Sequence, residues 1–242
     1  MTNKSMLFIS ERSRAFRSAG SLTLLQCTKI AGQGFAHLAL IASLMQPLNT
    51  FESFIQQMTR LASRAPAEPA LLDAAEPLLA QLIKSDAWLP EAYRLASEKT
   101  YQQYLLYCDP LARFSVVSFV WGPGQKTPIH DHTVWGLIGV LQGAERCHHF
   151  GRDASGTWQD EGVHILDKGE IDRVSPSLGD VHRVSNALPD QVTISIHVYG
   201  ADIGQVKRHV FEEVSFAERE FVSGYVDQPA LLKPTQLTAS SA

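Results

Sequence analysis

The chain has 242 residues, 45% of them hydrophobic and 19% charged, with a formal charge of −4. That length suits one sizeable core or a small two-domain arrangement, and the lack of a basic block removes the electrostatic footprint of a nucleic-acid or acidic-membrane binder. The expected partner is therefore a small molecule, with no nucleic acid and no membrane.

Ser, Arg and Gly dominate residues 1–34, and residues 1–44 do not share the periodicity of the chain beyond them. They read as a loosely ordered N-terminal extension, or as the product of a start site upstream of a natural Met45. The apolar run 34–45 is interrupted by His37 and too short to span a bilayer, and Glu11 with no A-x-A site fits a secretory signal poorly. Cys27, Cys108 and Cys147 are odd in number and without paired spacing, which indicates neither a disulfide framework nor a zinc knuckle and suits a reducing cytoplasm.

Residues 45–110 read as helical. Asn49, with Glu52 three positions later, predicts a capping box, followed by Phe51, Phe54, Ile55, Met58 and Leu61 at helical spacing. Beyond the break at Ala65-Pro66-Ala67-Glu68-Pro69, a second pattern runs through Leu71, Leu72, Ala75, Leu78, Leu79, Leu82 and Ile83, with Pro77 predicted to kink it or start a new helix. Residues 90–107, opened by Pro90-Glu91, offer a third helix. After Asp109-Pro110 the pattern turns to short β runs, among them 114–121, 136–143, 144–152 and 192–200, separated by turn residues. Such spacing reads as a sandwich or barrel over 111–226, closed by a polar tail at 227–242.

Within the barrel region, His130 and His132 are separated by one residue, so on a strand their side chains leave one face and can meet one ion. His182, in GDVHRVSN, follows a Gly-Asp turn where an antiparallel barrel can return a third ligand. His37, His148, His149, His164 and His209 lack this context and read as non-ligands. In TISIHVYG, Ser195, His197 and Tyr199 share one face and Ile194, Ile196 and Val198 the other, so a polar chain of hydrogen bonds lines an interior whose back is apolar.

These stretches resemble the paired motifs of cupins. Gly124, His130, His132 and Gly143 fall on the first motif; Gly179, His182 and Asn186 fall on the second, with Pro176 one place early. Gly136 stands where cupins usually carry a glutamate, and a three-histidine site without that carboxylate looks like the thiol dioxygenase branch, which contains cysteine dioxygenase and 3-mercaptopropionate dioxygenase. The Ser195-x-His197-x-Tyr199 run is similar to that branch as well.

The resemblance implies a mainly β cupin barrel (a double-stranded β-helix) preceded by two or three helices. It also implies non-haem Fe(II) on His130, His132 and His182, and an O2-dependent oxidation of a small thiol carboxylic acid to a sulfinic acid. Tyr199 would reach the substrate or oxygen, oriented by His197 and Ser195. Thr133-Val134-Trp135-Gly136 carries no cysteine, so the cysteine–tyrosine crosslink of the animal enzymes is not available. Gln103 stands where those enzymes place a carboxylate-binding arginine, which resembles 3-mercaptopropionate dioxygenases and leaves Arg208 as a further candidate carboxylate partner. Cysteine is the second expected substrate, and a monomer is compatible with the family. The rivals are a cupin that binds without turnover and a zinc-dependent isomerase or hydrolase.

Overall fold

The structure, a computed structural model, describes residues 49–235; the extension expected at 1–44, with Cys27 and His37, lies outside the described residues, as does the end of the tail. Helix α1 (Thr50–Ser63) starts at the predicted capping box, in which the Asn49 side chain accepts from Glu52 N at 2.8 Å, a cap that contributes about 1 kcal/mol. Helix α2 (Glu68–Leu82) runs unbroken through Pro77. That proline forfeits one backbone hydrogen bond, but buried Leu71, Leu72, Ala75, Leu79 and Leu82 hold the helix against the sheet beneath it, so no new helix starts there.

The third helix expected at 90–107 does not form. A single 3-10 turn (Glu91–Tyr93) is followed by strand β1 (Gln102–Cys108), which pairs antiparallel with β2 (Ser115–Trp121). Tyr101, Tyr104 and Tyr107 are spaced as on a helix, yet the cross-strand pairing and the burial of Tyr104 and Leu106 under the helices win over local periodicity.

The remaining strands are β3 (Ile129–His130), β4 (Gly136–Gln142), β5 (Ala144–Arg152), β6 (Trp158–Asp167), β7 (Ile171–Val174), β8 (Val181–Asn186), β9 (Thr193–Tyr199), β10 (Arg208–Phe211) and β11 (Glu218–Phe221). They form a five-stranded sheet, β1-β2-β9-β4-β7, and a six-stranded sheet, β11-β10-β3-β8-β5-β6. Two such sheets behind two helices make the cupin barrel expected from the motifs.

The five-stranded sheet is buried on both faces, and this fixes where the site lies. Its outer face, including Val116, Val120, Leu137, Ile194, Ile196 and Val198, packs under α1 and α2. Its inner face, with Val117, Phe119, Trp121, Ile138 and Val140, meets Cys147, Leu166 and Val184 of the other sheet. Strand β9 alternates between the two environments, so Ser195, His197 and Tyr199 are turned inward. Among the described residues, no helix is long and apolar enough to cross a membrane.

Candidate metal centre and its cavity

His130 ends β3 and lies directly across from His182 of β8. The strand stops there, so His132 belongs to the loop beyond it, but the chain carries its ring back to the same point. The three ring centroids are 4.8 to 4.9 Å apart, and one ligand nitrogen from each ring fits within a 4.8 Å cluster. All three side chains are buried.

The neighbours of these rings set their tautomers. His130 Nδ1 lies 3.1 Å from Pro128 O, an atom that can only accept, so Nδ1 carries the proton and Nε2 presents a lone pair. His132 Nδ1 likewise faces Asp180 O at 3.2 Å and Oδ1 at 3.1 Å. Asp180 also accepts from His132 N and Thr133 N, which holds Thr133 in a left-handed turn at φ 57° and ends the His-x-His run. His182 Nδ1 is buried with no hydrogen-bond partner. Burial, together with the proximity of the other rings, pushes the His130 and His182 pKa values well below the ordinary range, so both are neutral donors. Asp131, between the two ligands of the run, accepts from His209 N and pairs with His209 Nδ1, both at 2.7 Å, which ties the loop to β10.

Along β9, Ser195 Oγ is 2.7 Å from His197 Nε2, and His197 Nδ1 is 2.7 Å from the Tyr199 hydroxyl. Trp121 Nε1 donates to Ser195 Oγ at 3.2 Å, and His197 stacks on Phe119. Burial holds His197 below its usual pKa and pushes the Tyr199 phenol up, so the imidazole is neutral and the phenol protonated at neutral pH. With a neutral imidazole, the two hydrogen bonds can run in either of two directions. Ser195 donates to His197 and His197 to Tyr199, which frees the tyrosine proton for the cavity, or all donors reverse and Tyr199 presents lone pairs instead. The Tyr199 ring stacks on the His132 ring with centroids 5.5 Å apart, so the phenol adjoins the metal site.

Gly136 explains why the usual cupin carboxylate is missing. It is paired with Tyr199 across β4 and β9, and a Cβ there would come within 2.9 Å of both Tyr199 Cδ1 and Val174 Cγ2. Any side chain at this position would contest the space of the tyrosine.

A cavity of about 30 Å³ opens beside the histidines, lined by Tyr101, Gln103, Phe119, Thr127, Pro128, His130, Tyr199, Arg208, Phe221 and Ser223. It brings both expected substrate contacts, Gln103 on β1 and Arg208 on β10, together with a metal ligand and the tyrosine. Arg208 is only 4% exposed; its Nη2 donates to Ser223 Oγ at 2.7 Å, its guanidinium stacks on Phe221, and its Nε is buried without a partner.

Some residues at the site carried no sequence signal. Glu145 on β5 is fully buried, both its carboxylate oxygens lack hydrogen-bond partners, and Oε1 lies 3.9 Å from His197 Nε2. Tyr101 and Ser223 come from segments with no motif. Strand alternation around the Glu145 position would have been the only available hint.

A barrel of two antiparallel sheets with three inward histidines defines a cupin with a candidate metal site. The profile of the cysteine dioxygenase type I family matches residues 49–212, more than half of the chain, and the chain belongs to that family. Among solved structures, the chain is similar to an uncharacterized conserved protein with a double-stranded β-helix domain from Klebsiella pneumoniae. Identity there is 21% and TM-score 0.40, over 51% of this chain and 94% of that one. It is also similar to a cupin 2 conserved barrel domain protein from Rhodopseudomonas palustris, with 16% identity and TM-score 0.36 over 50% of this chain and 75% of that one.

Proposed function

We propose that the protein is an Fe(II)-dependent dioxygenase of a small mercapto acid, with 3-mercaptopropionate as first substrate and cysteine as second. The single observation that carries the substrate class is Arg208, a buried guanidinium with an unpartnered Nε in the same narrow cavity as His130 and Tyr199. An unpaired buried cation is costly, and a carboxylate of the substrate relieves that cost with charge-assisted hydrogen bonds. Gln103 adds neutral polar contacts. No acidic residue lines the cavity among the described residues, so a substrate ammonium finds no counter-charge, which favours 3-mercaptopropionate over cysteine.

Three imidazoles fit a divalent cation and leave its charge uncompensated, which favours a thiolate over a thiol. Fe(II) on His130, His132 and His182 would supply the oxygen chemistry. The overall change balances as R–SH plus O2 giving R–SO2H. Sulfur loses four electrons, O2 gains them, and both oxygen atoms end on sulfur. Tyr199 holds a proton at the cavity wall, and His197 with Ser195 can return or withdraw it by reversing their hydrogen bonds. The packed walls around Phe119 and Trp121 keep bulk water from that proton.

The test is oxygen uptake by the iron-loaded protein with 3-mercaptopropionate, cysteine and cysteamine supplied separately, the product being weighed by mass spectrometry. Faster uptake with 3-mercaptopropionate and a gain of two oxygen atoms is the expected result. No uptake with any thiol, from protein shown to hold iron, would refute the proposal; activity only with zinc and without O2 would put the hydrolase or isomerase rival in its place.

A further inference from the structure

We propose that Cys147, His164 and Asp172 form a second metal site of the zinc type, drawing its ligands from both sheets. Strand β7 is the last strand of the five-stranded sheet and β6 the last of the six-stranded sheet, and the two do not pair. Cys147 on β5 and His164 on β6 face each other in register, and Asp172 comes from β7 on the other sheet. One ligand atom from each of these three residues lies within 4.8 Å of the other two.

His149 stands beside this cluster, its ring within 11° of parallel to that of His164, so the in-plane lone pairs of the two do not converge on one ion. Its Nε2 and that of His164 each lie 3.5 Å from Asp172 Oδ2, and the two imidazoles stack with centroids 5.0 Å apart. A separation of 3.5 Å is too long for a strong hydrogen bond. For His164 and Asp172 it is the separation expected of two ligands sharing one ion, since bonds of about 2.1 Å at the tetrahedral angle put donor atoms about 3.4 Å apart. Asp172 Oδ2 and His149 Nε2 are both buried without a hydrogen-bond partner, and Cys147 is fully buried. An ion held by Cys147, His164 and Asp172 would satisfy the orphaned Asp172 oxygen.

The donor set names the ion class. One thiolate, one imidazole and one carboxylate suit a borderline cation such as Zn(II) or its cobalt substitute, with a position left for water. Such an ion would link β5 and β6 of one sheet to β7 of the other. In sequence the set is invisible, because Cys147, His164 and Asp172 are far apart and belong to no common motif.

Cobalt tests the site directly, because a thiolate bound to Co(II) gives a near-ultraviolet charge-transfer band that the three-histidine centre, having no sulfur, cannot give. Metal-free full-length protein is dialysed against Co(II). The wild type is expected to take up two equivalents and show the band, and the His130→Ala/His182→Ala double variant to take up one and keep it. Cys147→Ser should lose one equivalent and the band, and Cys108→Ser neither. Because Cys147 is buried and its variant can fail to fold, His164→Ala, at an exposed position, serves as the second probe and should lose the second equivalent. Uptake of one equivalent without a band by the wild type would overturn the proposal, as would a band that survives Cys147→Ser, or two equivalents bound by His164→Ala. None of these outcomes bears on the dioxygenase reading, which rests on the three-histidine centre.

Discussion

Replacing Arg208 with methionine separates substrate recognition from structure. The side chain is 4% exposed, its Nη2 reaches Ser223 at 2.7 Å, its guanidinium lies 4.7 Å from the Phe221 ring centroid, and its Nε has no partner. Methionine keeps the packed stem and removes only the charged head. A hydrogen bond to a charged group contributes roughly 1.5–3 kcal/mol, and each 1.4 kcal/mol is about tenfold in affinity, so KM for 3-mercaptopropionate should rise by roughly 10- to 150-fold. For stability the sign is opposite. Loss of the ring contact costs about 0.5–2 kcal/mol, whereas relief of a buried, uncompensated cation returns several kcal/mol, so the free variant should melt no lower than the wild type. Steady-state oxygen uptake measures the first effect, with cysteamine, which has no carboxylate, as the internal control; calorimetry measures the second. An equal rise in KM for both thiols, or a lowered melting temperature with KM unchanged, would show that Arg208 is a structural strut and refute the reasoning.

Three other outcomes are expected from the geometry. Tyr199→Phe removes the hydroxyl that His197 engages at 2.7 Å, and kcat should fall by about 100-fold with iron content unchanged, as read by single-turnover uptake beside metal analysis. Gly136→Ala puts a methyl group 2.9 Å from the Tyr199 ring and from Val174, so the tyrosine must move; activity should drop sharply while stability falls by only about 1–3 kcal/mol in urea denaturation. Asp131 holds His209 above its ordinary pKa through their 2.7 Å contact. The stability from this pair is therefore fully present below the unfolded value of about 6.5 and is lost as pH rises through the higher folded value. The gap in melting temperature between wild type and His209→Gln should shrink over that rise, and a gap independent of pH would count against it.

Period and spacing governed how much of the fold was legible in the sequence. The α1 cap, the helix pattern through Met58 and the alternation along 193–199 are local signals, and the structure uses them locally. The His-x-His pair and the Gly-Asp turn before His182 were legible because each marks a strand end. Residues 102–108 misled, since their tyrosine spacing imitates a helix and only pairing with β2 decides the outcome. Glu145 gave no warning because a lone acidic residue in a strand normally faces solvent, and only the closure of the barrel turns this one inward. The cavity draws on β1, β10 and the segment around Ser223, which meet only after both sheets form.

Ser195, His197 and Tyr199 occupy alternate positions of one strand, paired residue for residue with β2 on one side and β4 on the other. Their alignment is thus a property of strand register rather than of three independent side-chain placements. A slip of one residue would turn Ile194, Ile196 and Val198 toward the metal and send the whole polar set under the helices, where none of it could be satisfied. A partly built relay is not an accessible state of this chain. The specific activity of a preparation should therefore count correctly registered molecules, and losses during refolding should appear as fewer active molecules, each with unchanged kcat.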